Sequence, residues 1–193
     1  MDETPRSLLE QLRRHPSEMA WKRLVALYTP LLECWLRHYG IPSGDLEDLV
    51  QEVMTVLIRD LPAFHHNQQC GAFRCWLRTI VVHRVRGYWR SRHNSAQTAG
   101  GSASGILEEI PDPASDPDRR WEQEHDQFII RRALELMQPE LTTSTWQAFR
   151  RQALDGAKPA AVAAELGISV NAVVLAKYRV MRRLRQYLEG IIE

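Results

Sequence analysis

The sequence predicts an all-α protein of two small helical domains joined by a flexible linker, the C-terminal one carrying a helix-turn-helix. Apolar residues recur at the three- and four-residue spacing of helices, and no segment alternates with the period of two that a half-buried strand requires. Between residues 94 and 118 the composition changes abruptly to NSAQTAGGSASGILEEIPDPASDPD, rich in Gly, Ser, Ala and Pro, which divides the chain into domains at 1–93 and 119–193. The tail from Ala160 to Leu188, AAVAAELGISVNAVVLAKYRVMRRLRQYL, has the order of a small helix, a glycine turn and a basic helix.

Taking the elements in order, Ser17 caps a predicted helix that runs to about His38 and stops at Gly40, with Pro30 expected to kink or split it. A second helix is predicted from about Asp45 to Arg59, ending before Pro62. Its apolar face holds Leu46, Leu49, Val50, Val53, Val56 and Leu57, while Asp48, Gln51, Glu52, Thr55 and Arg59 line the other side. No histidine or metal-ligand set accompanies these carboxylates, so they imply no acid–base chemistry.

The third helix is predicted from about Gly71 to Arg92 and contains no acidic residue. Phe73, Trp76, Leu77, Ile80, Val81 and Tyr88 cluster on one side. Arg74, Arg78, Arg92 and Trp89 lie along a flank, and Arg86 and Arg90 lie round the far side. Arginines interleaved with aromatic rings suit single-stranded nucleic acid, where rings stack on bases and cations follow the backbone. Phe73 and Trp76 read as core, which leaves Trp89 as the stacking ring. Arg84 projects on the apolar side and there requires an acidic or aromatic partner.

Beyond the linker, helices are predicted near 118–137, 140–154, 159–166 and 169–189. Gly167 closes the third of these and Ser169 caps the last. Val170, Asn171, Val174, Lys177 and Tyr178 stand near the start of that helix, followed by Arg179, Arg182, Arg183 and Arg185, with no acid before Glu189. Short side chains at the N-terminal end suit base edges in a groove, and the arginines suit phosphates.

Composition limits the alternatives. In 193 residues, 44% of them hydrophobic, the net charge is only +1, so a nucleic-acid role rests on how charge is distributed. Three cysteines, Cys34, Cys70 and Cys75, form no disulfide framework and point to a reducing compartment. The opening MDETPRSLLEQLRR is charged where a signal peptide is apolar, and no apolar run approaches the ~20 residues that span a bilayer. The expectation is a cytoplasmic protein with no membrane insertion.

The string DLEDLVQEVMTVLIRDLPAF, followed by GAFRCWLRTIVV and later by ELGISVNAVVLAKYRVMRRL, resembles the two conserved regions of extracytoplasmic-function sigma factors of the sigma-70 family of bacterial RNA polymerase. The resemblance covers about residues 17–93 and 121–189, and its most specific element is D-x-x-Q at Asp48 and Gln51 paired with F-x-x-W-L at Phe73, Trp76 and Leu77. It implies that Asp48, Gln51 and Glu52 dock on the clamp coiled coil of core RNA polymerase. It implies that the segment from Phe64 to Cys70, FHHNQQC, captures a base flipped from the minus-10 element, with His65, His66, Asn67 and Gln68 supplying hydrogen bonds. The basic third helix then completes the minus-10 surface through Arg74, Arg78, His83, Arg86, Trp89 and Arg90.

The same resemblance assigns the minus-35 element to the tail, with Ser169, Val170, Asn171, Val174, Lys177, Tyr178 and Arg182 at the DNA. A linker of 25 residues extends to roughly 80–90 Å, enough for the ~70 Å of two duplex turns. The implied protein is no enzyme and takes no metal or cofactor. Its partners are core RNA polymerase, promoter DNA and, as in many relatives, an anti-sigma protein. The sequence departs from the family where Asn and, four residues later, Asp are usual, carrying His83 and Gly87 instead. In the tail, Asn171, Ala172 and Val173 replace a usual Gly-Thr-Val. An alternative is a helix-turn-helix regulator that binds an operator without polymerase. A metalloenzyme built on His65, His66, Cys70, Cys75 and His83 matches no standard zinc spacing.

Overall fold

The computed structural model describes residues 8–14, 17–64, 72–98, 119–189 and 191–192, and every regular element among them is helical. Eight α-helices are present among these residues: α1 (Leu8–Arg14), α2 (Glu18–His38), α3 (Leu46–Asp60), α4 (Ala72–Thr98), α5 (Arg119–Met137), α6 (Thr143–Phe149), α7 (Pro159–Leu166) and α8 (Val170–Leu188). They fall into two compact units, one principally Leu8–Ile129 and the other principally Ile130–Glu189.

In the first unit, α2 begins where expected, the Ser17 hydroxyl accepting a hydrogen bond from the Ala20 N–H at 3.1 Å. It ends at Gly40, whose φ of 73° lets the Ile41 N–H reach back to the Leu36 carbonyl at 3.1 Å and the Gly40 N–H to that of Arg37 at 3.0 Å. Contrary to expectation, Pro30 does not split the helix. Leu27 and Tyr28 before it and Leu31 and Leu32 after it are all buried, so one core holds both halves and the helix continues through the proline. Helix α1 was not expected; at seven residues it is too short to persist alone, and it is held by burial of Leu8, Leu9 and Leu12.

Helix α3 matches its predicted span, and α4 continues past Arg92 to Thr98, so the first residues of the expected linker are helical. Residues 99–118 lie outside the described residues. The first half of α5 packs with the N-terminal unit, where His125 and Ile129 are fully buried.

In the second unit, the helix expected over 140–154 runs without a break from Thr143 to Leu154, its last turn widened, and a separate short turn precedes it. Pro139 sits in a 3₁₀ turn (Gln138–Glu140), Thr142 caps α6 by accepting from the Thr145 N–H at 3.3 Å, and Arg150–Leu154 forms a π-helical turn. That turn is tied down by Arg151, whose guanidinium bridges Glu165 at 3.0 Å and Asp155 at 3.1 Å. Ala148, Val162, Ala163, Val173 and Ala176 form the small-residue core between α6, α7 and α8. Gly167 (φ 64°, ψ 31°) closes α7, with the Ile168 N–H bonded to the Ala163 carbonyl at 3.1 Å, and the Ser169 hydroxyl caps α8 by accepting from the Ala172 N–H at 3.1 Å. The chain turns by 106° between α7 and α8. Among the described residues no single helix is long and apolar enough to cross a membrane.

Candidate functional site

The polar face of α3 is built by a simple division of the helix. Leu46, Leu49, Val50, Val53 and Leu57 are buried against the core, which turns Asp48, Gln51, Glu52 and Thr55 outward, all exposed. The Thr55 hydroxyl donates back to the Gln51 carbonyl at 2.7 Å, leaving the Gln51 amide on the surface. Glu52 lies 3.6 Å from the Arg84 guanidinium of α4, which is the acidic partner that Arg84 required. At the other end of α3, the Asp45 carboxylate does not cap its own helix. It instead accepts from the Tyr88 hydroxyl at 2.6 Å and from Arg92 at 2.7 Å, pinning α4 to the start of α3. Desolvation, then the bond to Asp45, raises the Tyr88 pKa and keeps its hydroxyl a donor.

Between these two helices runs an open groove of about 710 Å³. Trp76, Thr79, His83, Gly87 and Arg84 of α4 line it on one side and Glu52, Val56 and Asp60 of α3 on the other. His83 is exposed, and Gly87 has no atom within 4 Å of where a Cβ would stand, so the groove is open at that point. Phe64, at the mouth of the expected base-capturing segment, is stacked on Trp76 at 4.8 Å and meets Phe73 edge-on at 5.8 Å. His65, His66, Asn67 and Gln68 lie outside the described residues.

Three members of the expected minus-10 surface are placed differently. Arg74 and Arg78 are interior, 7% and 9% exposed, where a wheel of α4 alone put them on an open flank. Arg74 donates to the Asp126 carboxylate of α5 at 2.7 Å, a partner 52 residues away that no local pattern reveals. Trp89 is half-buried and anchored: its indole N–H donates to the Tyr39 carbonyl at 3.2 Å, and its ring lies 3.7 Å from the position of a Cβ on Gly40. Arg90 is exposed and Arg86 half-buried.

The least legible group is His125. Its Nδ1 lies 2.8 Å from Asp126 and its Nε2 3.3 Å from the Tyr28 hydroxyl, with the Trp35 ring stacked on it at 6.0 Å. Burial outweighs the adjacent carboxylate and lowers the imidazole pKa, so the ring is neutral at pH 7, donating from Nδ1 to Asp126 and accepting at Nε2. Burial also raises the Tyr28 pKa well above its ordinary value, which keeps the phenol protonated to donate that bond.

In the second unit, Ser169, Val170, Asn171, Val174, Lys177, Tyr178 and Arg182 are all exposed, at the start of and along α8. The opposite face, Val173, Ala176, Val180, Leu184 and Leu188, is buried. Arg183 pairs with Glu140 and so contributes to holding α8 in place. Among the described residues no group of three or more His, Cys, Asp or Glu side chains is gathered as a metal ion requires.

Residues 24–95, which hold most of α2, all of α3 and most of α4, match the sigma-70 region 2 family. The helical unit bearing the Asp48 face and the basic α4 is therefore a domain of the sigma-70 class. RNA polymerase sigma factor CnrH of Cupriavidus metallidurans is 27% identical over 157 residues, covering 81% of this chain and 80% of the relative. ECF RNA polymerase sigma-E factor of Escherichia coli K12 is 26% identical over 178 residues, 88% and 86% of the two chains, an alignment long enough to reach both units. Residues 24–95 thus belong to sigma-70 region 2, and over most of its length the chain is similar to extracytoplasmic-function sigma factors of the sigma-70 family.

Proposed function

We infer that the protein binds core RNA polymerase and directs it to start transcription at a particular set of promoters, catalysing nothing itself. Asp48, Gln51 and Glu52 are the docking residues in this reading. The observation that carries it is that this whole polar face stands in solvent on a rigid, well-packed helix inside the segment that matches sigma-70 region 2. Such a face is pre-organised and loses little freedom on docking. Residues 1–93 then serve polymerase and the minus-10 element, residues 119–193 the minus-35 element, and 94–118 the connection. His83, Arg86 and Arg90 remain the α4 residues placed to meet separated strands, with the 64–68 segment receiving a flipped base.

The second unit carries the duplex-reading part. Two helices at 90–120° joined by a short glycine-containing turn are the geometry of a helix-turn-helix, and the 106° between α7 and α8 across Gly167 supports that assignment. Polymerase binding sites lie in the cytoplasm, where such a factor works. An anti-sigma protein that restrained it would have to cover the Asp48 face or the DNA surfaces.

The deciding experiment is reconstituted transcription from genomic promoter fragments with purified protein and bacterial core enzyme. Promoter-specific transcripts are expected. Asp48→Ala with Gln51→Ala should weaken core binding at least tenfold, a loss of ~1.4 kcal/mol from two truncated interface side chains, without moving the unfolding midpoint. Absence of both core binding and transcripts refutes the reading, and tight sequence-specific duplex binding by the chain alone would favour an operator-binding regulator instead.

A further inference from the structure

Helix α8 exposes more apolar surface than its place in the unit explains. Val170, Val174 and Tyr178 are 47%, 46% and 62% exposed. They follow one another at four-residue intervals, so their side chains form one stripe about 12 Å long. Leu175, 40% exposed, stands beside it. None of this surface is needed for the core, which takes the opposite face of the helix.

Charge identifies the partner. Helix α8 carries Lys177, Arg179, Arg182, Arg183 and Arg185 and no acidic residue. Arg183 is paired with Glu140; an apolar protein groove would accommodate the stripe but not the remaining density of cations, whereas a polyanion with an apolar feature at the right depth accommodates both. Duplex DNA offers such a feature in the major groove, the thymine C5-methyl, which stands between the phosphate rows that arginines engage. A stripe of about 12 Å spans about three to four base pairs at ~3.4 Å each.

We propose that Val170, Val174 and Tyr178 determine specificity by packing on thymine methyl groups in the major groove of the upstream promoter element. The inference rests on the reading of α8 as the duplex-binding helix and goes beyond it by naming what the helix reads. Along the stripe itself only the Tyr178 hydroxyl can hydrogen-bond, so the discrimination that Val170 and Val174 add comes from fitting or failing to fit a methyl group. A cytosine at the same position replaces that methyl by bare ring edge, and an adenine or guanine replaces it by polar atoms that an apolar side chain leaves unpaired.

The test uses the full chain bound to core polymerase on a promoter identified by transcription in vitro. Each thymine of the upstream element is replaced in turn by deoxyuridine, which removes the methyl and nothing else. At one or more positions the affinity should fall about fourfold, the effect of returning one methyl-sized group to water. Val174→Ala or Val170→Ala should abolish the methyl dependence at one position and leave it at the others. Both residues are exposed, so neither variant should lower the unfolding midpoint. Unchanged affinity with every thymine replaced, while promoter-dependent transcription persists, overturns this inference and leaves the sigma function standing. Loss of transcription and core binding on the unmodified promoter overturns the function itself.

Discussion

One methyl group added to glycine should have opposite effects at two places in this chain. Gly167 and Gly87 both have nothing within 4 Å of a built Cβ, so neither substitution meets a clash. What differs is the backbone. Gly167 sits at φ 64° and ψ 31° in the left-handed region, where an L side chain costs ~1–2 kcal/mol. Restricting the unfolded chain returns ~0.4–1 kcal/mol of that, leaving Gly167→Ala destabilising by about 1 kcal/mol. Gly87 lies in the interior of α4, where alanine is favoured over glycine by ~0.8–1.0 kcal/mol, so Gly87→Ala should stabilise by about that amount. For units of this size each kcal/mol moves the melting temperature by roughly 4–8 °C. Urea unfolding gives the two signs, and amide hydrogen exchange assigns each change to the α7–α8 turn or to α4. Gly167→Asn provides the internal control, because asparagine tolerates the left-handed region better than alanine. Shifts of the same sign at both sites, or asparagine more damaging than alanine, would refute the conformational account of the turn.

Two further outcomes follow from the buried cluster on α5. Because burial lowers the His125 pKa below its ordinary value of about 6.5, the unfolded chain binds a proton that the folded chain refuses. Its contribution is intact above that value and shrinks as pH falls from 6.5 toward the folded pKa, with Tyr28, Asp126 and Arg74 as the facing groups. The unfolding midpoint should fall between about pH 7.5 and about pH 5, and His125→Gln should reduce that fall; an equal fall in both proteins excludes His125 as its source. Asp126→Asn leaves the Arg74 guanidinium, 8% exposed, facing a neutral amide. A loss of ~1–3 kcal/mol is expected by chemical denaturation, kept below that of a fully buried pair because Asp126 is itself 31% exposed. Full stability in this variant would show that the pair contributes nothing.

The parts of the fold that were legible in the sequence are those governed by local chemistry. Ser17, Ser169, Gly40 and Gly167 act on the backbone within a few residues, and each caps or closes the helix it was expected to. The two faces of α3 follow from its periodicity alone, which is why Asp48, Gln51 and Glu52 stand exposed as read. The remainder depends on contacts between distant segments. A wheel drawn for α4 cannot contain Asp126, so Arg74 read as a solvent residue, and it cannot contain the Tyr39 carbonyl, so Trp89 read as a free ring. His125 gives no sequence signal at all, being one histidine in a charged stretch whose burial depends on Tyr28 and Trp35. Helix α1 and the continuity of α2 through Pro30 are likewise effects of the core overriding short-range preference.

The exposed stripe on α8 also bears on how the protein behaves in bulk solution. With a net charge of only +1, two molecules repel each other weakly at a distance. Close approach through their stripes is opposed mainly by the arginines flanking each one. Those charges act over a screening length of about 10 Å at 0.1 M salt and about 3 Å at 1 M. High salt, commonly used to strip nucleic acid from basic proteins, therefore removes the guard from the stripe while strengthening apolar attraction. The free factor should be most colloidally stable at low ionic strength, and its self-association should rise with salt even as its grip on DNA declines.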